Sequence, residues 1–111
     1  MFENCYSLTS LDLSHLITDD VTDMKYAFHN CSSLQTLLVS FRTLNVRYMQ
    51  HLFSDCTSLK TLNIGTFFTA NVNNLTDMFE NDEGLELYYD FKLCANLKAY
   101  IPSYVHQIDI N

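Results

Sequence analysis

The sequence predicts an α/β solenoid, a stack of short parallel strands and short helices, because one set of residues recurs every 25–26 positions. Four columns share this step: phenylalanines, leucines, cysteines and valines. They are Phe2, Phe28, Phe53 and Phe79; Leu8, Leu34, Leu59 and Leu85; Cys5, Cys31 and Cys56; and Val21, Val46 and Val72. Columns that share one period of this length predict stacked repeats with a continuous core.

The first half of each unit predicts a short strand. Apolar residues alternate with outward-facing ones over four or five positions in three successive units. The apolar residues are Leu11 and Leu13, Leu37 and Val39, and Leu62 and Ile64. Period two over this length is typical of a strand with one buried face, and stacking the units would pair these strands in parallel.

The second half of each unit predicts a short helix, because apolar residues fall at positions i, i+3 and i+7. The three sets are Val21, Met24 and Phe28; Val46, Met49 and Phe53; and Val72, Leu75 and Phe79. Asp20, Asn45 and Asn71 precede these segments and are expected N-caps. A helix of about two turns needs packing against its neighbours to be stable.

These repeats predict a single domain over residues 1–111, with units at about 1–26, 27–51 and 52–77, an irregular unit at 78–93 and a partial unit at 94–111. Asp82 stands where the irregular unit should carry a cysteine. Because the chain begins within a unit, we expect a piece of a longer repeat protein, or end-to-end packing with further repeats or another chain.

The composition excludes several classes of partner. The formal net charge is −7, which disfavours binding to nucleic acid or to an anionic membrane surface. No apolar run approaches the roughly 20 residues that span a bilayer, so we expect no membrane insertion. The first residues also lack the basic and apolar pattern of a signal peptide.

Several stretches resemble a known repeat family. "MFENCYSLTSLDLS", "AFHNCSSLQTL" and "DDVTDM" resemble the BspA-like leucine-rich repeats of bacterial surface proteins and mycoplasma-type lipoproteins. The last stretch, "CANLKAYIPSYVHQI", is similar to the related treponemal-type repeat. The resemblance implies a leucine-rich-repeat-like solenoid, an extracellular or cell-surface location, and a host or matrix protein as partner.

The pattern of cysteines and histidines favours a structural role for these residues over a catalytic or metal-binding role. No C-x₂-C pair occurs, and the cysteine recurs with the repeat, so a ladder of buried thiols is favoured over disulfides or a metal cluster. Catalysis by cysteine and histidine requires one activated thiolate in one pocket. The candidate pairs for such a site are His29 with Cys31 and His51 with Cys56, but their cysteines recur with the repeat. We therefore expect no enzyme, no cofactor and no metal.

An acidic stretch at 77–90 leaves two interpretations, a solvated edge or a loosely built calcium site. The EF-hand pattern is excluded, because aligning Gly84 with its glycine places Phe79 at the first ligand position.

The outward strand positions predict the binding surface, which is the concave face of such a solenoid. Stacking gives three columns: Ser10, Thr36 and Thr61; Asp12, Leu38 and Asn63; and Ser14, Ser40 and Gly65. All of these except Gly65 are predicted partner-binding residues, and the Ser/Thr-rich, largely neutral character of this face suits a protein or a glycan. The sequence thus favours a non-enzymatic interaction or adhesion module, and the alternative is a structural scaffold or spacer repeat in a larger assembly.

Overall fold

The computed structural model describes residues 2–111, which form five short strands and one short 3₁₀-helix. The strands are β1 (Ser10–Leu13), β2 (Thr36–Val39), β3 (Thr61–Asn63), β4 (Glu86–Tyr89) and β5 (His106–Asp109), and the 3₁₀-helix is Ala95–Tyr100. Three strands occupy the segments in which alternation predicted them. The irregular unit contains β4, and the partial unit contains the 3₁₀-helix and β5.

Each strand pairs in parallel with a strand of a neighbouring repeat. β1 pairs with β2, and β4 lies between β3 and β5, which gives one two-stranded and one three-stranded sheet. The register follows the repeat, with Leu11 opposite Leu37 and Leu62 opposite Leu87. Equivalent residues of successive repeats therefore lie side by side.

The predicted helices are wrong: among residues 2–111 there is no α-helix. The segments that begin at Val21, Val46 and Val72 consist of turns, joined from repeat to repeat by isolated parallel bridges at Asp23, Tyr48 and Asn74.

Competition for amide hydrogens explains why these segments are not helical. The N–H groups of Met24 and Phe28 donate to the carbonyls of Tyr48 and Leu52 in the next repeat, at 2.8 and 3.0 Å. In an α-helix the same groups would donate to carbonyls four residues earlier. Tyr26 also has a φ of 59°, and His51 and Asp77 share this left-handed conformation, which interrupts any helix.

The expected N-caps also have another role. The Asn45 side-chain amide donates to the Asp19 carbonyl at 2.7 Å, and that of Asn71 donates to the Leu44 carbonyl at 3.2 Å. Both bonds run to the preceding repeat, so these asparagines link repeats instead of capping helices.

A stack of phenylalanine rings forms the centre of the core. Phe28 stacks on Phe2 at 5.5 Å between ring centroids and on Phe53 at 5.6 Å, and Phe53 stacks on Phe79 at 5.7 Å. Phe28, Phe53 and Phe79 have no exposed surface. The i+7 positions of the sequence pattern thus point inward, although the backbone that carries them is not helical.

Buried threonines join the repeats on another side of the core. The Thr43 hydroxyl donates to the Phe68 carbonyl at 2.7 Å and accepts the Phe68 N–H at 2.8 Å. Thr18 makes the same pair of bonds with Arg42. Because both hydrogen-bonding functions of each hydroxyl are used, these polar groups are buried without loss of their hydrogen bonds.

Tyr104, in the partial unit at 94–111, bonds to the backbone of the turns at Phe79 and Asn81. The Tyr104 hydroxyl accepts the Asn81 N–H at 2.8 Å and donates to the Phe79 carbonyl at 3.3 Å. One phenol thereby bonds an N–H and a carbonyl whose equivalents in earlier repeats bond to a carbonyl and a cysteine thiol of the following repeat. Within the described part of the chain, no helix has the length and apolar character that crossing a membrane requires.

We predict that Phe53→Ala lowers the free energy of unfolding by about 3–5 kcal/mol, because it leaves a cavity between two stacked rings. Urea denaturation measures this, and Phe53→Leu should lose less. Leu38→Ala, at a side chain that is 51% exposed, serves as control and should change stability by less than about 0.5 kcal/mol. Equal losses in Phe53→Ala and Leu38→Ala would contradict the role of the ring stack.

Candidate functional site

The strand face consists of the outward side chains of the five strands and the residues that follow them. The register places Thr61 beside Glu86 and His106, and Asn63 beside Tyr88 and Ile108. Seven of the eight predicted partner-binding residues are exposed and Ser14 is half-buried; the exposed ones are Ser10, Asp12, Thr36, Leu38, Ser40, Thr61 and Asn63.

A cavity of about 560 Å³ lies on this face between β2 and β3. Six predicted residues line it, and Ser10 and Asp12 do not. The lining residues are Ser14, Thr36, Leu37, Leu38, Val39, Ser40, Thr61, Leu62, Asn63, Gly65, Thr66 and Tyr88. The structure thus brings six of the predicted residues together at one place, Ser14 from the first repeat and the other five from the second and third.

The cavity coincides with a break in strand pairing. β2 is hydrogen-bonded to β1, and β3 is hydrogen-bonded to β4, but in residues 2–111 no ladder joins β2 to β3. One edge of each strand therefore carries peptide groups that are not paired with the neighbouring strand. These two edges flank the cavity.

Tyr88 and Thr66 are lining residues that the sequence did not single out. Tyr88 continues the column of Leu38 and Asn63, but it follows Asp82, where the spacing of the repeat becomes irregular. One sequence signal could have located Tyr88. Leu85 and Leu87 correspond to Leu59 and Leu62 of the third repeat, although they are two residues apart instead of three, and this alignment places Tyr88 beside Asn63.

Two of the predicted residues have local structural bonds. The Asp12 carboxylate accepts the Ser14 N–H at 2.9 Å and the Ser14 hydroxyl at 2.6 Å, and the hydroxyl bond holds the pKa of Asp12 below its ordinary value. Asn63 accepts the Gly65 N–H at 2.8 Å. Both side chains thus shape the turn that ends their strand.

Gly65 leaves space for the end of the chain. A Cβ at this position would lie 2.7 Å from Cδ1 of Ile110 and 2.9 Å from Oδ1 of Asn63. The side chain of Ile110 therefore lies against the rim of the cavity where glycine makes room for it.

All four cysteines are free, in agreement with the thiol-ladder interpretation. The thiols of Cys31, Cys56 and Cys94 donate to the carbonyls of Phe2, Phe28 and Phe67 at 3.0, 3.2 and 3.3 Å. Burial raises the pKa of these three thiols above the ordinary value, which disfavours the reactive thiolate.

His29 and His51, both in the second unit, face carboxylates instead of thiols. His29 lies between Glu3 and Asp55, with its Nδ1 3.1 Å and its Nε2 3.2 Å from their carboxylate oxygens. His51 lies 3.7 Å from Asp77 and 3.8 Å from Glu80. Among residues 2–111, no three His, Cys, Asp or Glu side chains are arranged to hold a metal ion.

Asp82 is a buried carboxyl in the column that otherwise contains cysteines. Its side chain has no exposed surface; Oδ1 accepts the Cys56 N–H at 2.9 Å, and Oδ2 has no hydrogen-bond partner. Burial raises the pKa of Asp82 to about 8, and the charge of Asp55 acts in the same direction. Asp82 therefore belongs to the core, while Asp77 and Glu83 in the same acidic stretch are exposed.

We predict that Asp82 makes the protein less stable as the pH rises. Because the folded-state pKa is about 8 and the ordinary value is 3.8, the folded state retains the proton longer. The contribution is complete below pH 3.8 and is lost progressively up to about pH 8. Asp82→Asn should match the wild-type protein at pH 4 and be more stable at pH 8 by up to about 5 kcal/mol, because each unit of pKa difference corresponds to about 1.4 kcal/mol.

Urea denaturation between pH 4 and pH 9 measures this difference. Glu83→Gln, at the exposed neighbouring acid, is the matched control and should keep the wild-type pH profile. Parallel profiles for Asp82→Asn and the wild-type protein would refute a buried carboxyl that retains its proton.

Comparison with known proteins gives the family of this chain. The family model described as "Mycoplasma protein of unknown function, DUF285" matches residues 1–98. No curated protein and no solved structure matches the chain. Since the match covers most of the sequence, including the four strands β1–β4, the chain belongs to the DUF285 family of Mycoplasma proteins of unknown function.

Proposed function

We propose that this chain is a non-enzymatic interaction or adhesion module of a cell-surface or secreted repeat protein, which binds a protein or glycan through the strand face. In this proposal the chain is a leucine-rich-repeat-like solenoid of the BspA-like kind. The family match is compatible with a surface repeat module, and the quoted motifs resemble BspA-like repeats over most of the sequence.

The main support is the cavity between β2 and β3. It gathers Thr36, Leu38, Ser40, Thr61 and Asn63 from two repeats on one surface. A concave site with a few hydrogen-bonding groups and some apolar surface is the usual form of a binding site. Leu38, one of the lining residues, is 51% exposed and adds apolar surface among the hydroxyl groups.

Charge narrows the kind of partner. The chain has a formal net charge of −7, so an acidic polymer such as nucleic acid would be repelled. The lining residues of the cavity carry no formal charge. A neutral protein surface or a glycan therefore fits this face better than a strongly charged ligand.

A scaffold or spacer is the competing function. A spacer needs stable repeats and no ligand at the strand face, and the ring stack and the threonine bonds would serve it equally well. The two functions differ in one respect, since only a binding module loses its function when the strand face is changed while the fold is kept.

We predict that Leu38→Arg weakens binding to the partner class recognised by the wild-type chain, because a bulky charge then occupies the cavity. An array of extracellular-matrix proteins and glycans, probed with the purified chain, gives the readout. The expected loss is about tenfold or more, as for a central contact residue. Leu44→Arg is the matched control, because Leu44 is also a leucine, is 60% exposed, and does not line the cavity.

Three results would contradict the proposal. Equal loss in both variants would indicate non-specific charge effects, and no loss in either would place binding elsewhere on the chain. Absence of wild-type binding to every class on the array would favour the spacer. Circular dichroism and urea midpoints of both variants should match the wild-type protein, because both leucines are exposed.

A further inference from the structure

We propose that the cavity between β2 and β3 binds an uncharged oligosaccharide. This inference rests on the proposed binding function of the strand face and adds the chemical class of its ligand. Four observations carry it: the absence of charge in the lining, the mixture of hydroxyl and apolar groups, the break in the sheet, and the spacing of the repeats behind it.

The first observation is the contrast in charge between the cavity and the rest of the chain. The sequence contains 6 basic and 13 acidic residues, yet none of them lines the cavity. A charged ligand group would lose hydration there without gaining an opposite charge, which is costly. The site thus selects a ligand that is polar but carries no charge.

The second observation is the chemistry of the lining. Thr36, Ser40 and Thr61 supply hydroxyls that both donate and accept, and Asn63 supplies an amide. Leu38 and Tyr88 supply apolar and aromatic surface in the same column. A sugar ring matches this mixture, because its rim of hydroxyls needs donors and acceptors and its C–H face packs on aromatic or aliphatic side chains.

The third observation is the break in strand pairing. Peptide groups on the facing edges of β2 and β3 are not paired with each other, and Leu37 and Leu62 of these two edges line the cavity. Unpaired peptide groups gain from a ligand that can donate and accept.

The fourth observation excludes insertion of a peptide strand into the break. The second and third repeats remain one layer apart behind the sheet, with Phe28 and Phe53 stacked at 5.6 Å and the Phe28 N–H donating to Leu52 at 3.0 Å. An inserted strand would require about 4.8 Å of further separation. The ligand therefore approaches from the open face and lies over the break.

The test is a nuclear magnetic resonance titration of the isotope-labelled chain with neutral trisaccharides. Maltotriose, cellotriose and triacetylchitotriose are the probes, and trigalacturonic acid is the charged control. At about 1 mM probe, at least one neutral probe should shift amide signals of residues 36–40 and 61–66 in a saturable way. Trigalacturonic acid should leave these signals unchanged.

Two matched variants place the ligand. Thr61→Asp puts a negative charge in the cavity and should weaken binding about tenfold or more. Ser10→Asp makes the same change of charge in the same column, but outside the cavity, and should weaken binding clearly less than Thr61→Asp does. Both positions are exposed, so both variants should keep the fold.

No shift with any neutral trisaccharide at ten times that concentration would overturn the inference. So would an equal loss of affinity in Thr61→Asp and Ser10→Asp, or stronger binding of trigalacturonic acid than of the neutral probes. A protein partner that binds the wild-type chain and is lost in Leu38→Arg would then still support the proposed function, so the two failures are distinguishable.

Discussion

The hydrogen bonds between successive repeats are the constraint on which the rest of the structure depends. In the turn segments the N–H groups of one repeat donate to carbonyls of the next, from Met24 to Tyr48 and from Met49 to Asn74. Because these amides bond to the next repeat, they cannot form a local helix. Left-handed residues turn the chain, and the side chains between them point to the core. Polar side chains add further bonds between repeats: Thr43 donates to the following repeat and Asn45 to the preceding one.

The sequence predicted the side-chain columns better than the backbone that carries them. Alternation located β1, β2 and β3, and the phenylalanine column located the ring stack. The i, i+3, i+7 spacing failed as evidence for a helix, because it reports only which residues face inward. Asn or Asp recurs in one column at Asn4, Asn30, Asp55 and Asn81, and all four residues have a left-handed φ. Because Asn and Asp tolerate that conformation best, this column was the sequence signal for turns in place of helices.

The candidate site was likewise predicted only in part. The columns of Thr36 and Leu38 followed from the period, because strand register repeats with it. The break between β2 and β3 could not be predicted, since no residue of either strand differs from its neighbours in a way that specifies whether their peptide groups pair. Tyr88 was missed because the spacing becomes irregular after Asp82, where the buried carboxyl replaces the thiol of the earlier repeats.

Pairing only between consecutive repeats has a consequence for how the chain folds. The strands and turns of each unit contact the unit before and the unit after, so native contacts join segments about one repeat apart in sequence. The loop that must close to form each interface is therefore short and of similar length throughout, which limits the entropy lost at each step. Structure can then propagate from whichever adjacent pair forms first, and an insertion in one loop delays the closure of that loop while the other interfaces close at their own rates.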